Sequence, residues 1–324
     1  MTRAEVAGSP APPFVPSTSA AEAGAICAVA GQSQRQMREW ASAYPALYAV
    51  SPFDPALFST LSLAAAFSGP GLTADQLRMA NRVCLWCFGL DWLVDYVFTT
   101  EEQISALVQR CQSVVDGTLT SAGAARPPAP EPTPTLNDDS AAALDDLELF
   151  LIDIRRELAA APAFTDLGDV WRAEFRLMVE AMAREWRWKA DRDGGMGRGP
   201  TFDEYLANAD NLGFSFVLAS HWIANGGGGD IDGVRTASRA VQRVIRLLND
   251  LGTYDRDIRW GDLNGLLLDR TRSEVERQVI VLAEHARAAI QDIRHECPAL
   301  ASYMERQMDF CAGFYGSADF WGAL

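Results

Sequence analysis

After residue 24 the apolar residues recur at a helical period almost without interruption. No convincing stretch alternates apolar and polar residues as a half-buried strand would. This restricts the chain to an all-α fold. Helices are expected over 22–43, 54–67, 73–98, 101–121, 138–160, 165–191, 201–225, 231–259, 271–295 and 298–321. Thr73, three residues before Gln76, opens one of them as a capping box. Three segments break the pattern. ARPPAPEPTPT at 125–135 reads as a mobile loop, because proline blocks helix. RDGGMGRGP at 192–200 is the second break, and NGGGGD at 225–230 the third. No strand precedes the glycines of the third and no Gly-Lys-Ser/Thr follows, so it reads as a helix-helix turn rather than a phosphate loop. The helices on both sides of each break are similarly apolar, as in one large helical array. One domain over 25–324 is expected, behind a disordered Pro/Ala/Ser-rich tail at 1–24.

With 324 residues, 48% hydrophobic and 22% charged, the chain can bury a substantial core. Its formal net charge of −15 argues against nucleic acid, whose binders need a basic face. No apolar run reaches the ~18 residues a membrane span requires. The first residues lack the charged start and apolar block of a secretory signal, so a cytoplasmic protein is expected. The six cysteines, at 27, 84, 87, 111, 297 and 311, are scattered through helical segments and read as thiols rather than a disulfide framework.

The chemistry concentrates in the run RVIRLLNDLGTYDRDIRWGDLNGLLL. Asn249, Thr253 and Asp257 are four apart and share one helical face. They offer an amide oxygen, a hydroxyl and a carboxylate, a donor set that suits a hard cation such as Mg²⁺. Arg256 stands beside the last of them, placed to meet an anion. A second acidic pair, Asp91 and Asp95, lies one turn apart in LRMANRVCLWCFGLDWLVDYVF. Carboxylates in so apolar a stretch are costly unless paired or metal-bound. Cys84, Cys87 and Phe88 precede Asp91 on the same side, as an apolar wall leading to the acids. Taken alone, the pair also suits a helix that surfaces after Gly89; the 249–257 segment weighs against that. The acids of NDDSAAALDDLELF read instead as a helix start favoured by the dipole.

Together these segments resemble class I terpene synthases, whose aspartate-rich motif (usually DDxxD) faces an (N/D)DxxSxxxE triad. Asp91 and Asp95 match the first and last positions of the former, with Trp92 where the second Asp is usual. Asn249, Thr253 and Asp257 match the triad, with Asp for the usual Glu, and Arg256 matches the basic residue before it. The resemblance implies a single-domain α-helical fold around a central active-site cavity. It also implies Mg²⁺, three ions with substrate bound, and a prenyl diphosphate substrate. RLLNDLGTYDRD with GDLNGLLL, EFRLMVEAMAREWRWKA and PTFDEYLANADNLGFS are similar to segments of bacterial labdane-related diterpene synthases. That subgroup implies a bicyclic, copalyl-type diphosphate supplied by a separate class II cyclase; the chain itself has no DxDD. The family also implies a homodimer.

Two departures bear on substrate. Asn208 and Ala209 stand where related sesquiterpene cyclases carry a diphosphate-sensing Arg, and the C-terminal Arg-Tyr pair is missing. Arg246, one turn before Asn249, is the candidate second diphosphate ligand, though equally a surface residue by position. The expected cation-guiding pocket comprises Phe88, Trp92, Trp186, Gly213, Phe214, Trp222, Phe310, Phe314 and Tyr315. His221 reads as a core histidine, and no general base is assigned. The alternatives are a synthase acting on linear geranylgeranyl or farnesyl diphosphate, a chain-elongating prenyltransferase, and a non-catalytic helical scaffold. Asn249 and Thr253 argue against the prenyltransferase, which would normally carry a second aspartate-rich motif.

Overall fold

A computed structural model describes residues 19–118, 138–195 and 197–322. The segment expected as a mobile loop, 125–135, and tail residues 1–18 lie outside the described residues. Every regular element among the described residues is helical. In chain order these are α1 (Ala20–Ala43), a short α2 (Pro45–Tyr48), α3 (Pro55–Ser68) and α4 (Ala74–Trp92), which runs on into a π-helical turn (Leu93–Val97). Then come α5 (Glu101–Asp116), α6 (Asp138–Ala159), α7 (Phe164–Asp193) and α8 (Phe202–Ala207). A 3₁₀ turn (Ala209–Leu212) leads to α9 (Phe214–Ala224), and α10 (Ile231–Trp260) follows. A second 3₁₀ turn (Gly265–Leu267), α11 (Arg272–Ile293) and α12 (Pro298–Tyr315) complete the array. None of these helices is long and apolar enough to cross a membrane.

Local sequence sets the helix starts. Capping boxes pair Thr73 with Gln76, Thr100 with Gln103, Thr201 with Glu204 and Thr271 with Glu274. Each satisfies orphan backbone N–H groups at a helix N-terminus. The four glycines Gly226–Gly229 all have positive φ, from 60° to 102°, a path that side chains rarely follow. They turn the chain between α9 and α10, and the indole of Trp222 donates to the Gly228 carbonyl at 3.2 Å. The helix-helix turn read from the sequence is therefore what the glycines make.

Three expectations change in detail. Residues 20–24, expected in the tail, form the first turn of α1, capped by Ser19 accepting from the Glu22 N–H. The single helix expected over 201–225 is cut in two at Gly213, which takes φ 73°. The last helix stops at Tyr315, and residues 316–321 turn back over the array.

α4 sits at the centre, packed on α1, α3, α6 and α9, while α10 packs on α9, α11 and α12. Buried tryptophans fasten the layers: Trp86 on α4 donates to the Leu147 carbonyl of α6, and Trp171 on α7 to Ser220 of α9, both at 2.9 Å. Glu174 on α7 is buried and accepts from Arg235 and Arg239 of α10 at 2.8 and 2.7 Å. A buried indole or carboxylate tolerates burial only with such partners.

His221 is a core residue, as its setting in an apolar helix suggested. Its ring stacks on Tyr303 at 4.6 Å, and burial lowers its pKa from 6.5 to about 4. Between those values the unfolded chain binds a proton that the folded chain refuses. Stability is thus fully present above about pH 6.5 and falls as the pH drops towards 4. His221→Phe should keep the stack and remove this loss, about 3 kcal/mol at its largest. Urea unfolding at pH 7 and pH 4.5 checks it; an equal acid loss in both proteins would sink the account.

Candidate active site

One cavity of about 220 Å³ opens among α3, α4, α7, α9, α10 and α12. That is a space for a small molecule rather than a lone ion. α4 contributes a single helical stripe to it: Asn81, Cys84, Phe88 and Asp91, continued by Asp95 in the π turn. The wide turn is closed by the Phe98 N–H donating to the Leu93 carbonyl at 2.8 Å, five residues back. α12 contributes a second stripe, Tyr303, Gln307, Cys311 and Tyr315. Both helices point their C-terminal ends at the polar mouth, where Asp91, Asp95 and Asp319 gather.

The two expected acids face the same cavity but stand in different surroundings. Asp95 accepts from Lys189 of α7 at 3.2 Å, and the same ammonium donates to Asp262 at 2.5 Å. The Tyr96 hydroxyl donates to the other oxygen of Asp262 at 3.0 Å. Burial foremost, with Asp262 and Glu185 adding and Lys189 opposing, pushes Asp95 up to about 6. Among the described residues Asp91 has no hydrogen-bond or ion-pair partner, and burial, then Asp95 and Asp262, hold it well above the usual carboxylate range.

On α10 the face read from the sequence forms, and it is bonded internally. The Thr253 hydroxyl donates to the Asn249 carbonyl at 2.9 Å and to Asp257 at 2.6 Å. Asp257 also accepts from Asn264 at 2.8 Å and from Arg256 at 3.0 Å. Asn249 and Asp257 line the cavity; Thr253 is buried behind them. Arg256 reaches further, to Asp319, and lies over the Trp260 ring. Arg246 is no surface residue. It is buried against the cavity, donating to Glu185 of α7 and to the Tyr205 hydroxyl, both at 2.8 Å, and stacking on the Tyr205 ring. Asp250, between the two faces, is held by Tyr205 at 2.7 Å and the Gly265 N–H at 3.1 Å, so it buttresses α10. Asn208 accepts from Arg184 at 2.8 Å and donates to the Ala181 carbonyl, so it serves the helix break structurally.

Of the expected pocket aromatics, Phe88, Phe214 and Tyr315 line the cavity. Trp92 does not; it is turned behind the wall, against Phe53, Tyr96 and Trp321. Trp186 faces a separate groove between α5 and α7 and donates to the Phe98 carbonyl at 3.3 Å. Phe310 and Phe314 stack on each other at 5.7 Å, off the lining stripe of α12, and Trp222 belongs to the Gly228 turn. The wall instead includes Tyr96, Tyr303, Phe320 and Trp321, with Cys84, Cys87, Cys311, Met178 and Met182. Gly213 abuts this wall: a Cβ there would meet the Met178 sulfur at 2.9 Å.

Sequence reasoning missed Glu185, Lys189, Asp262 and Asp319. Asp262 was within reach, because it lies in the GDLNGLLL segment that carries part of the resemblance. The ion pair that brings Lys189 to it spans 73 residues and leaves no local trace. The mouth now holds six lining acids (Asp91, Asp95, Glu185, Asp257, Asp262, Asp319) against Arg246, Arg256 and the adjacent Lys189. Six minus three leaves three negative charges uncompensated if all ionise. The donors are all oxygen, which fits hard cations. Among the described residues no three His, Cys, Asp or Glu side chains already gather tightly enough to hold a metal ion. Phosphate oxygens of a ligand would therefore have to complete any such site, as is usual for Mg²⁺.

The family model for terpene synthase family 2, C-terminal metal binding, matches residues 82–297, a span that includes both acidic segments. Solved structures share the fold at low identity. Linalool/nerolidol synthase from Streptomyces clavuligerus is 16% identical with a TM-score of 0.60, over 89% of this chain and 94% of that one. For 2-methylisoborneol synthase from Streptomyces coelicolor A3(2) the values are 18% and 0.63, over 88% and 89%. Isoprene synthase from grey poplar leaves is 14% identical with a TM-score of 0.63, over 88% of this chain and 53% of the other. A comparison with curated proteins returns no match.

Among the described residues Lys189 is the cation that Asp95 and Asp262 share. Lys189→Met should therefore destabilise the fold by about 3 kcal/mol, the scale for stranding buried acids. Adding Asp262→Asn should recover part of the loss. A double-mutant cycle by urea unfolding checks this, and strict additivity would refute the shared pairing.

Proposed function

The chain belongs to terpene synthase family 2, and we propose that it converts a bicyclic, labdane-type diphosphate to a diterpene in a Mg²⁺-dependent reaction. It is a class I terpene synthase. The observation that carries the site assignment is the junction of two surfaces in one cavity. An acid-rich mouth with two buried guanidiniums lies directly above a wall of aromatic rings and sulfur.

Asp91, Asn249, Thr253 and Asp257 would hold the metal, with Asp95 as a further candidate that is tied to Lys189. Asp91 is the unpartnered carboxylate of the set, and the net negative mouth favours cations there. Bound Mg²⁺, three ions in our reading, supplies Lewis-acid neutralisation of the departing diphosphate. 2-Methylisoborneol synthase, a protein of the same fold, has a solved structure in complex with Mg²⁺ and geranyl-S-thiolodiphosphate.

Arg246 and Arg256 orient the diphosphate by donating N–H groups to its oxygens. Both are preorganised, since Glu185 and Tyr205 fix the first and Asp257 and Asp319 the second. Beneath them Phe88, Phe214, Tyr315 and Phe320 present ring faces that stabilise positive charge without attacking it. The thiols are kept from attacking too. Burial pushes Cys84 and Cys311 up to about 12, so neither is a thiolate at neutral pH.

The labdane assignment rests on the resembling segments and on the two missing sesquiterpene features. Asn208 at the helix break is occupied structurally and leaves no diphosphate sensor there. In this reading a class II cyclase supplies the substrate, and the enzyme is cytoplasmic and dimeric. A linear substrate is the second reading. It is favoured by linalool/nerolidol synthase in complex with 2-fluorogeranyl diphosphate, a linear ester.

Purified protein given geranyl, farnesyl, geranylgeranyl and copalyl diphosphates should release diphosphate only with Mg²⁺, and most rapidly from the copalyl ester. Turnover of linear esters alone would sink the labdane reading. Asp91→Asn and Asn249→Ala should each lower kcat/KM about 10³-fold or more, the scale for losing a charge-stabilising group. Helical circular dichroism should persist; a fully active double variant would overturn the site assignment.

A further inference from the structure

The closed end of the cavity holds a polar group that no part of this chemistry uses. Asn81 on α4 has no exposed surface, yet it lines the cavity. Neither its amide nitrogen nor its amide oxygen has a hydrogen-bond partner. Among the described lining residues it alone has both ends of an amide unsatisfied. The other amide at this end is occupied: Gln307 accepts from Ser68 at 2.6 Å and donates to the Cys311 sulfur at 3.3 Å. The Tyr303 phenol and the small or apolar residues Leu61, Ala64, Ala65 and Ala80 also line the cavity. A leucine would fill the same volume without the cost of an unpaired buried amide, so packing does not account for Asn81.

Its position supplies an account. Asn81 lies ten residues before Asp91 on the same stripe of one helix, about 15 Å from the mouth. A carbocation formed at the mouth is attracted back towards the diphosphate that left it. Bond formation carries the charge down the cavity, and a group at the closed end can bias where it settles. Rings do so weakly and without direction. A fixed amide dipole whose oxygen is not engaged in a hydrogen bond does so directionally, and more strongly in a dry, low-dielectric wall than in water. The absence of exposed surface also protects it, because a bound chain cannot reach bonding contact with the amide oxygen.

We propose that Asn81 is a specificity-determining residue. Its unpartnered amide dipole at the closed end of the cavity biases where positive charge settles and so sets how far the cation rearranges before it is quenched. The proposal rests on the class I reading of the site and concerns product outcome, not ionisation.

The test is Asn81→Leu, with Asn81→Ala as a second variant, assayed on copalyl and geranylgeranyl diphosphates. Four readouts apply: diphosphate release, KM for the ester and for Mg²⁺, product ratios by gas chromatography, and thermal unfolding. For Asn81→Leu we expect an unchanged or higher melting temperature, KM values within twofold of the wild type, and at least a fivefold change in the ratio of early-quenched to late-rearranged products. A structural asparagine would give the reverse, a lower melting temperature with unaltered product ratios, and that result overturns the proposal. So does failure of both variants to fold, which would make the amide a structural requirement. If the wild type releases no diphosphate from any ester, the class I reading falls and this proposal with it. Normal release with unmoved product ratios sinks this proposal alone.

Discussion

Like charges crowded into a half-buried space repel, and at the mouth of this cavity the described residues place six carboxyls beside three cations. At an effective dielectric near 20, two carboxylates 5 Å apart cost about 3 kcal/mol. Protein partners relieve most of this load. Each cation serves more than one acid: Lys189 bridges Asp95 and Asp262, Arg256 bridges Asp257 and Asp319, and Arg246 meets Glu185 with Asp250 nearby. These bridges join α4, α7, α10 and the C-terminal turn. Much of the architecture around the mouth is therefore a response to the acids it carries. Among the described residues Asp91 is left out of every bridge, and burial first, then Asp95 and Asp262, keep its pKa well up. A site that is electrostatically incomplete in this way is poised for added positive charge.

How much of this the sequence discloses depends on whether an interaction is local. The stride of four that places Asn249, Thr253 and Asp257 on one face is a property of any helix, and so is the pairing of Asp91 with Asp95. Four threonine capping boxes and the four glycines after α9 are similarly local. Each follows from a handful of consecutive residues. Lys189 with Asp262, Tyr205 with Asp250 and Arg246 with Glu185 instead span 73, 45 and 61 residues. Nothing in WRWKA marks its lysine as the partner of an aspartate beyond α10.

The aromatic residues show a subtler limit. α12 carries Phe310, Phe314 and Tyr315 close together, and chemistry alone favours all three for a cation pocket. The lining stripe is 303, 307, 311 and 315, one position off the phenylalanines. A helix apolar on most sides gives no phase information, because its hydrophobic residues do not say which face is the core and which is the cavity. Trp92 fails for the same reason. It lies about 100° round the helix from Asp91, which turns it behind the wall the acids open onto. Polar residues in an apolar helix do carry phase: Asn81, Asp91 and Asp95 on α4, and Gln307 on α12, all lie on the lining stripes.

That asymmetry gives the cavity its direction. Along α4 the lining passes from an unpaired amide, through sulfur and a ring, to two carboxyls, all on one stripe. Along α12 it passes from a phenol and an amide, through a thiol, to Tyr315 beside Asn249 and then Asp319. The two helices run the same way, so their gradients reinforce each other. The anionic end binds what must be ionised, and the middle is soft, polarisable and un-ionised. Small side chains at the far end leave room around a fixed dipole. A substrate entering such a cavity has one orientation that puts its charged head among the acids and guanidiniums and its hydrocarbon in the dry part. The reverse would bury a diphosphate against Leu61 and Ala65, without a donor cluster to replace its water. The fold therefore fixes where a reaction begins by electrostatics, and leaves where it ends to a few side chains at the opposite end.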